Sequence, residues 1–316
     1  MVLSNYTTNL LLTGQIVPKA IANPLTVIAM GWVMGLASLL GMAANLRVLC
    51  LFCKEKMSSF YIMCISKTLS NVIIILGHLL HNVPITIRNN FSEPTFFNMM
   101  VNEAVSYGIY FLGPVTQFMI SIDRMLVIVY AKQFINRNNQ KLTIIILLIL
   151  WLVAVANLII SAVTDGCDVI YNPELLNWFS GGCDYTVGNV VVALVLCCAV
   201  LSNLTNLIVV LKLAISMKTT HINSNSVRRR QRKSRKLFIQ SCIQDWLFAI
   251  DSINSTFVDG ISDGIIFKFM LDVFSNLMTL VLDGCVMIYF HHEADKKNTE
   301  TIKIKQKNLS PHNTCP

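Results

Sequence analysis

The chain has 316 residues, of which 54% are hydrophobic and 13% charged, with a formal net charge of +8. A soluble domain carries roughly a quarter charged residues, so this composition excludes a water-soluble globular protein and describes a chain dissolved in lipid. Much of the positive charge sits in one segment, Arg228, Arg229, Arg230, Arg232, Lys233, Arg235 and Lys236, which suits a topology signal touching anionic lipid or a docking surface for a cytoplasmic partner, and does not suggest nucleic-acid binding.

Residues 1–24 have no basic stretch ahead of Leu10-Leu11-Leu12, so no cleaved signal peptide is expected and they read as a short extracellular tail. Seven apolar runs follow, near Leu25 to Phe52, Ser59 to Ile87, Asn102 to Tyr130, Leu142 to Thr164, Val187 to Leu213, Leu237 to Val258 and Ile265 to Phe290. Each reaches the length of about twenty residues that crosses a hydrocarbon core of about 30 Å. A lipid-facing backbone must satisfy its own hydrogen bonds, and the runs are too long and too continuously apolar for barrel strands. The expectation is an all-α membrane protein: one seven-transmembrane helix bundle over residues 25–290, then a cytoplasmic tail over 291–316.

Loop charge orients it. The segments after runs one, three and five and the carboxyl tail hold nearly all the loop Lys and Arg, whereas the other side carries Lys19 and Arg88 with Asp165, Asp168, Glu174, Asp184, Asp259 and Asp263. The amino terminus is therefore outside and the carboxyl terminus cytoplasmic. Sequons at Asn5 and Asn90 fall on the outer side, where glycosylation can reach them; those at Asn203, Asn254 and Asn308 do not. Of ten cysteines, only Cys167 and Cys183 lie in an outer loop. A disulfide between them closes a ring of about sixteen residues and contributes roughly 3 kcal/mol on a chain-entropy estimate.

Polar residues inside the spans are the candidates for function. Asn45 and Asn71, in the first two spans, suit hydrogen bonding between helices. Lys67 and Asp283 each lie on the order of 10 Å from the inner surface, so they can meet between spans two and seven, or Lys67 can snorkel to the cytosol. In the outer half, His78 and His81 share one face of span two at i and i+3. Span three offers Tyr107, Tyr110 and Phe111 there, span six Asp251 and Asn254, and span seven Asp272, with Lys268 four residues before it as a neutralising group. Aromatic walls with a few polar groups make a small-molecule pocket, and helix packing with waters is the plainer use of each residue. Span six is unusually polar, with Gln240, Ser241, Gln244, Asp245, Ser252, Ser255 and Thr256 beside those two. It must be buried by neighbours or face water, which also allows a transporter or channel.

At the inner end of span three stands Ile122-Asp123-Arg124-Met125. A guanidinium there can pair with the adjacent carboxylate or swing to carbonyls of a partner helix, a two-state element suited to signalling; plain snorkelling is the alternative. Nothing suggests an enzyme, metal or cofactor: no H-E-x-x-H array or Walker loop occurs, and His291 and His292 lie on the side opposite His78 and His81.

The stretch Ser59-Phe60-Tyr61-Ile62-Met63-Cys64-Ile65-Ser66-Lys67-Thr68-Leu69-Ser70-Asn71, continuing to Val83-Pro84, resembles the second span of nematode serpentine chemoreceptors, class x in particular. Gly41 to Asn45 and Ile120-Ser121-Ile122-Asp123-Arg124 with Lys132-Gln133-Phe134 resemble the same family. Such receptors are similar in architecture to rhodopsin-like G-protein-coupled receptors. The resemblance implies a chemosensory receptor in the plasma membrane of sensory cilia, with a small environmental molecule as ligand and a heterotrimeric G protein as partner. The chain also departs from these patterns. Asp123-Arg124 stands where the family often has Asn-Arg, and Met125 replaces the aromatic of the rhodopsin-like motif. Asp283-Gly284 with a later Tyr289 replaces Asn-Pro-x-x-Tyr, span six has no proline, and no cysteine between Met99 and Leu112 can tether the outer loop to span three.

Overall fold

The computed structural model describes residues 23–55, 57–88, 96–129, 138–164, 169–180, 182–219, 225–258, 262 and 264–291. They form a bundle of seven spans. Span one is Pro24–Cys53, started by the Asn23 side chain, which accepts the Leu25 N–H at 3.0 Å, and by a proline whose missing N–H costs nothing at that position. Span two is Ser59–Arg88, capped by the Ser58 hydroxyl on the Tyr61 N–H. Span three runs from Phe96–Glu103 through a π-helical turn to Leu112–Val129, and span four is Asn138–Val163. Spans five and six are Gly182–Thr219 and Asn225–Ile253, the latter prolonged by a π turn, and span seven is Ile265–His291.

Spans one, two, four, five and seven are long and apolar enough to cross a membrane on length and composition alone. Among the described residues spans three and six do not meet that measure, span three being interrupted by its π turn and span six rich in polar groups; Gln117 and Ser121 on one and Gln240, Ser241, Gln244, Asp245, Asp251 and Ser252 on the other are all buried. Outward-facing Leu36, Leu40, Leu148, Leu152 and Val200 are exposed, as side chains that face lipid must be. Inside, one apolar cluster includes Met34, Ile75, Leu112, Phe248, Phe269 and Leu277, and a second includes Val48, Met63, Ile120 and Met287. Since lipid is as apolar as leucine, close packing and interhelical hydrogen bonds hold such helices together.

Two features differ from the expectation. The basic run from Arg228 to Lys236, expected in a loop, lies on the opening turns of helix six, which starts at Asn225; Arg, Lys and Gln are good helix formers, so the helix continues past the membrane edge. The outer loop after span four contains a β-hairpin. Strand β1, Val169–Asn172, pairs antiparallel with β2, Asn177–Ser180, placing Tyr171 opposite Trp178. The Asn172 side chain accepts the Glu174 and Leu175 N–H groups at 2.8 and 3.3 Å, and Leu176, at φ 51°, closes the turn with its side chain fully buried. The Tyr171 ring packs tilted against Trp178 with centroids 5.1 Å apart, and its hydroxyl meets Thr86 Oγ1 at 2.9 Å. The hairpin is thus folded inward onto span two. Asn5, Asn90, Cys167 and the side chains of Cys183 and Tyr107 lie outside the described residues.

Candidate functional site

Spans two, three, six and seven each change from α to π winding toward their outer ends, at His78–Asn82, Ala104–Gly108, Asn254–Val258 and Met270–Phe274. A π turn re-aims the side chains it carries and is frequent at functional sites. Three of the four border a cavity of about 300 Å³. Span three contributes Val105, Ser106 and Tyr110 to its wall, the hairpin Trp178, span six Asp251 and Ser252, and span seven Asp272 and Asn276. The Asp251 carboxylate is 4% exposed and accepts the Tyr110 O–H at 2.6 Å, the short distance of a charge-assisted bond. Its Oδ1 and the Asn276 Oδ1 have no hydrogen-bond partner among the described residues.

Deeper in the bundle a second polar centre is closed on itself. Asp283 accepts the Lys67 ammonium at 2.7 Å and the amides of Asn71 and Gln244 at 2.8 Å each. Lys67 also donates to Gln117 Oε1 at 3.0 Å, and Gln117 donates in turn to Ser241 at 2.7 Å. Asn45 accepts from Asn71 at 3.3 Å and donates to the Gly41 and Leu280 carbonyls at 2.9 and 3.2 Å. Ser241 also accepts from Asn206 at 3.1 Å, which carries the network on to Asp245, an acceptor for Ser202 at 2.8 Å and for Asn206 at 3.4 Å. At Asp283 the charge is met by Lys67 and both carboxylate oxygens have donors, which is what makes an ionised group tolerable away from water. Toward the inner end, the Arg124 guanidinium lies 5.2 Å from the centroid of the Phe60 ring.

The model of the serpentine type 7TM GPCR chemoreceptor Srx family matches residues 36–291. This chain belongs to that family. The Srx receptor's bundle is similar to the crystal structure of squid rhodopsin, with a TM-score of 0.65 over 93% of this chain and 90% of that one; at 15% identity the likeness is one of fold. No match is found among curated proteins.

The receptor's tertiary structure brings together Tyr110, Asp251 and Asp272 of the residues expected in the outer half. Asn254 instead donates to Ser275 Oγ at 3.4 Å, and Phe111 lies in the apolar core. His78 and His81 lie on a π turn, and both meet the side chain of Asn82. His78 turns to Trp178, 6.4 Å between centroids, and its Nδ1 meets Asn82, whereas His81 is held between Asn82 and Asn98. Neither borders the cavity. Asn276 and Trp178 are among the wall residues that the sequence reading missed. Asn276 was detectable as a polar residue one turn after Asp272 on the same face, and Trp178 follows a hairpin signal, Asn172-Pro173-Glu174 between Val169-Ile170-Tyr171 and Trp178-Phe179. The pairing of Lys67 with Asp283, left open by the sequence, is made, and Asn45 and Asn71 join it.

Proposed function

We propose that this Srx receptor takes a small environmental molecule into the outer cavity and in response activates a heterotrimeric G protein at the inner ends of the bundle, from the plasma membrane of a sensory cilium. What supports this is the order in which three groups touch. Tyr110, at the cavity wall, sets its ring edge-on against Phe248 at 5.6 Å between centroids, and the Lys67 ammonium lies 5.2 Å from the centroid of the same Phe248 ring. Gly113 lets the ring lie against span three, since a Cβ there would come within 2.9 Å of Phe248 Cζ. A ligand that disturbs the Tyr110–Asp251 bond therefore acts on a ring that contacts the buried ion pair joining spans two and seven. Binding that prefers one arrangement of this stack shifts the population of the whole bundle. At the inner end, Asp123 and Arg124 are the residues that would answer, Arg124 exchanging between its neighbouring carboxylate and the partner.

A transporter or channel along the polar sixth span would use the same side chains. They are engaged with other helices instead: Gln244 donates to Asp283, Ser241 accepts from Gln117, and Asp245 accepts from Ser202. The test is nucleotide exchange on a purified heterotrimer by the receptor in lipid nanodiscs, screened against small molecules. Ligand-driven exchange upholds the signalling reading. Uptake of a labelled compound into sealed vesicles, with no exchange for any compound that binds, would replace it with transport.

A further inference from the structure

Taking the outer cavity as the ligand site proposed above, we infer that its ligand is a small protonated amine whose ammonium group is held by the Asp251 carboxylate. The interior aspartates differ in how their charge is met. Asp283 has the Lys67 ammonium at 2.7 Å and two amide donors. Asp245 has Ser202 and Asn206, and the Lys67 and Arg124 charges act on it. Asp251 is just as deeply buried, yet no cation acts on it among the described residues. Its polar neighbours are Tyr110, Ser275 and Asn276, and its Oδ1 is without a hydrogen bond. Removing a carboxylate from water without a counter-charge is costly.

Asp251 borders a cavity, and the rest of that wall has the same bias. No Lys, Arg or His lines it among the described residues, whereas Asp272 and Asn276 do. An ammonium group supplies three N–H donors and the missing positive charge. Trp178 and Tyr110 add aromatic rings to the wall, and Val105, Val191, Val192 and Val195 an apolar surface for the remainder of the molecule. A volume of about 300 Å³ lies at the low end for small-molecule sites, so the fit is a monoamine with a compact apolar body. Carboxylic acids and phosphates would face like charge. A carboxyl kept neutral by a proton would treat an amine and the alcohol of the same skeleton alike.

The test uses the full-length receptor in nanodiscs at neutral pH without G protein, reading ligand-induced thermal stabilisation and titration calorimetry. The probes are matched pairs: 2-phenylethylamine and 2-phenylethanol, hexylamine and hexanol, cyclohexylamine and cyclohexanol. At least one amine is expected to bind tenfold or more tightly than its alcohol, and Asp251→Asn to weaken that amine by on the order of 100-fold, as loss of a buried charge partner does. Equal binding within every pair, no binding by any amine, or an amine preference that survives in Asp251→Asn each overturns the inference. If the variant does not fold, the pairs on the unmodified receptor still decide. An alcohol or acid that binds and drives nucleotide exchange would overturn the amine and leave the signalling reading intact; an amine that binds under all conditions without exchange would do the reverse.

Discussion

Lys67 and Asp283 meet at 2.7 Å between spans two and seven, and both side chains are fully buried. Every strong donor around Asp283 comes from a different helix than its own: Lys67 and Asn71 from span two, Gln244 from span six. The pair is therefore a joint between helices, and its removal has an asymmetric cost. Taking away one partner leaves a bare charge and costs about 3–5 kcal/mol, whereas neutralising both is far milder. Lys67→Met is expected to lower the thermal stability of purified receptor sharply, and Lys67→Met with Asp283→Asn to recover much of the loss. Thermal unfolding of the single and double variants checks this; additive losses would show that the two residues do not act as a pair.

Gly284 is expected to tolerate no side chain. A Cβ there would stand 2.9 Å from Asn45 Nδ2, the atom that donates to the Gly41 and Leu280 carbonyls. Gly284→Ala must push Asn45 away and should cost about 1–3 kcal/mol, the range for overpacking a filled interior. Asn45→Ala in the same background relieves the clash while forfeiting the bonds. Melting temperatures should then be sub-additive, and simple additivity would mean that the contact yields without strain.

At the inner end, Asp123→Asn is expected to release Arg124 and raise basal nucleotide exchange, and Arg124→Ala to reduce ligand-driven exchange with ligand binding largely kept. Exchange is to be measured at matched receptor amounts. An arginine that merely snorkels beside Phe60 predicts neither change, so unchanged exchange in Arg124→Ala would remove this residue from the coupling mechanism.

The outer loop gives a prediction about symmetry. If Cys167 and Cys183 form one bridge, then Cys167→Ser, Cys183→Ser and the double variant should lose surface expression to the same degree, because each opens the same ring. Surface labelling on intact cells measures it. Peptide mapping that recovers both as free thiols from surface protein would eliminate the bridge.

Membrane crossing was legible in the sequence because the bilayer imposes a simple rule on it: about twenty apolar residues per span and basic residues on the cytoplasmic side. Seven spans follow from that rule with no knowledge of contacts, as does the presence of Asn45, Lys67, Asn71, Asp251 and Asp283 inside them. Span six is the polar exception, with Gln240, Ser241, Gln244, Asp245, Asp251 and Ser252 buried, since a helix enclosed by others need not face lipid along its whole surface.

Which polar residue meets which was decided only by the tertiary structure. Lys67 was equally suited to snorkelling or pairing, and it pairs because spans two, three, six and seven bring Asp283 and Gln117 within 3.0 Å of its ammonium. His78 and His81 meet Asn82 on a π turn rather than lining the cavity, and that turn has no sequence signature here. Asp251 and Asp272 come to one cavity with Trp178 because a hairpin in the outer loop folds back toward the bundle. Span length and sidedness are set by the solvent, residue by residue along the chain, and so are written in composition. Contacts between helices are set by shape and by hydrogen bonds between side chains far apart in sequence, and these exist only once the bundle has closed.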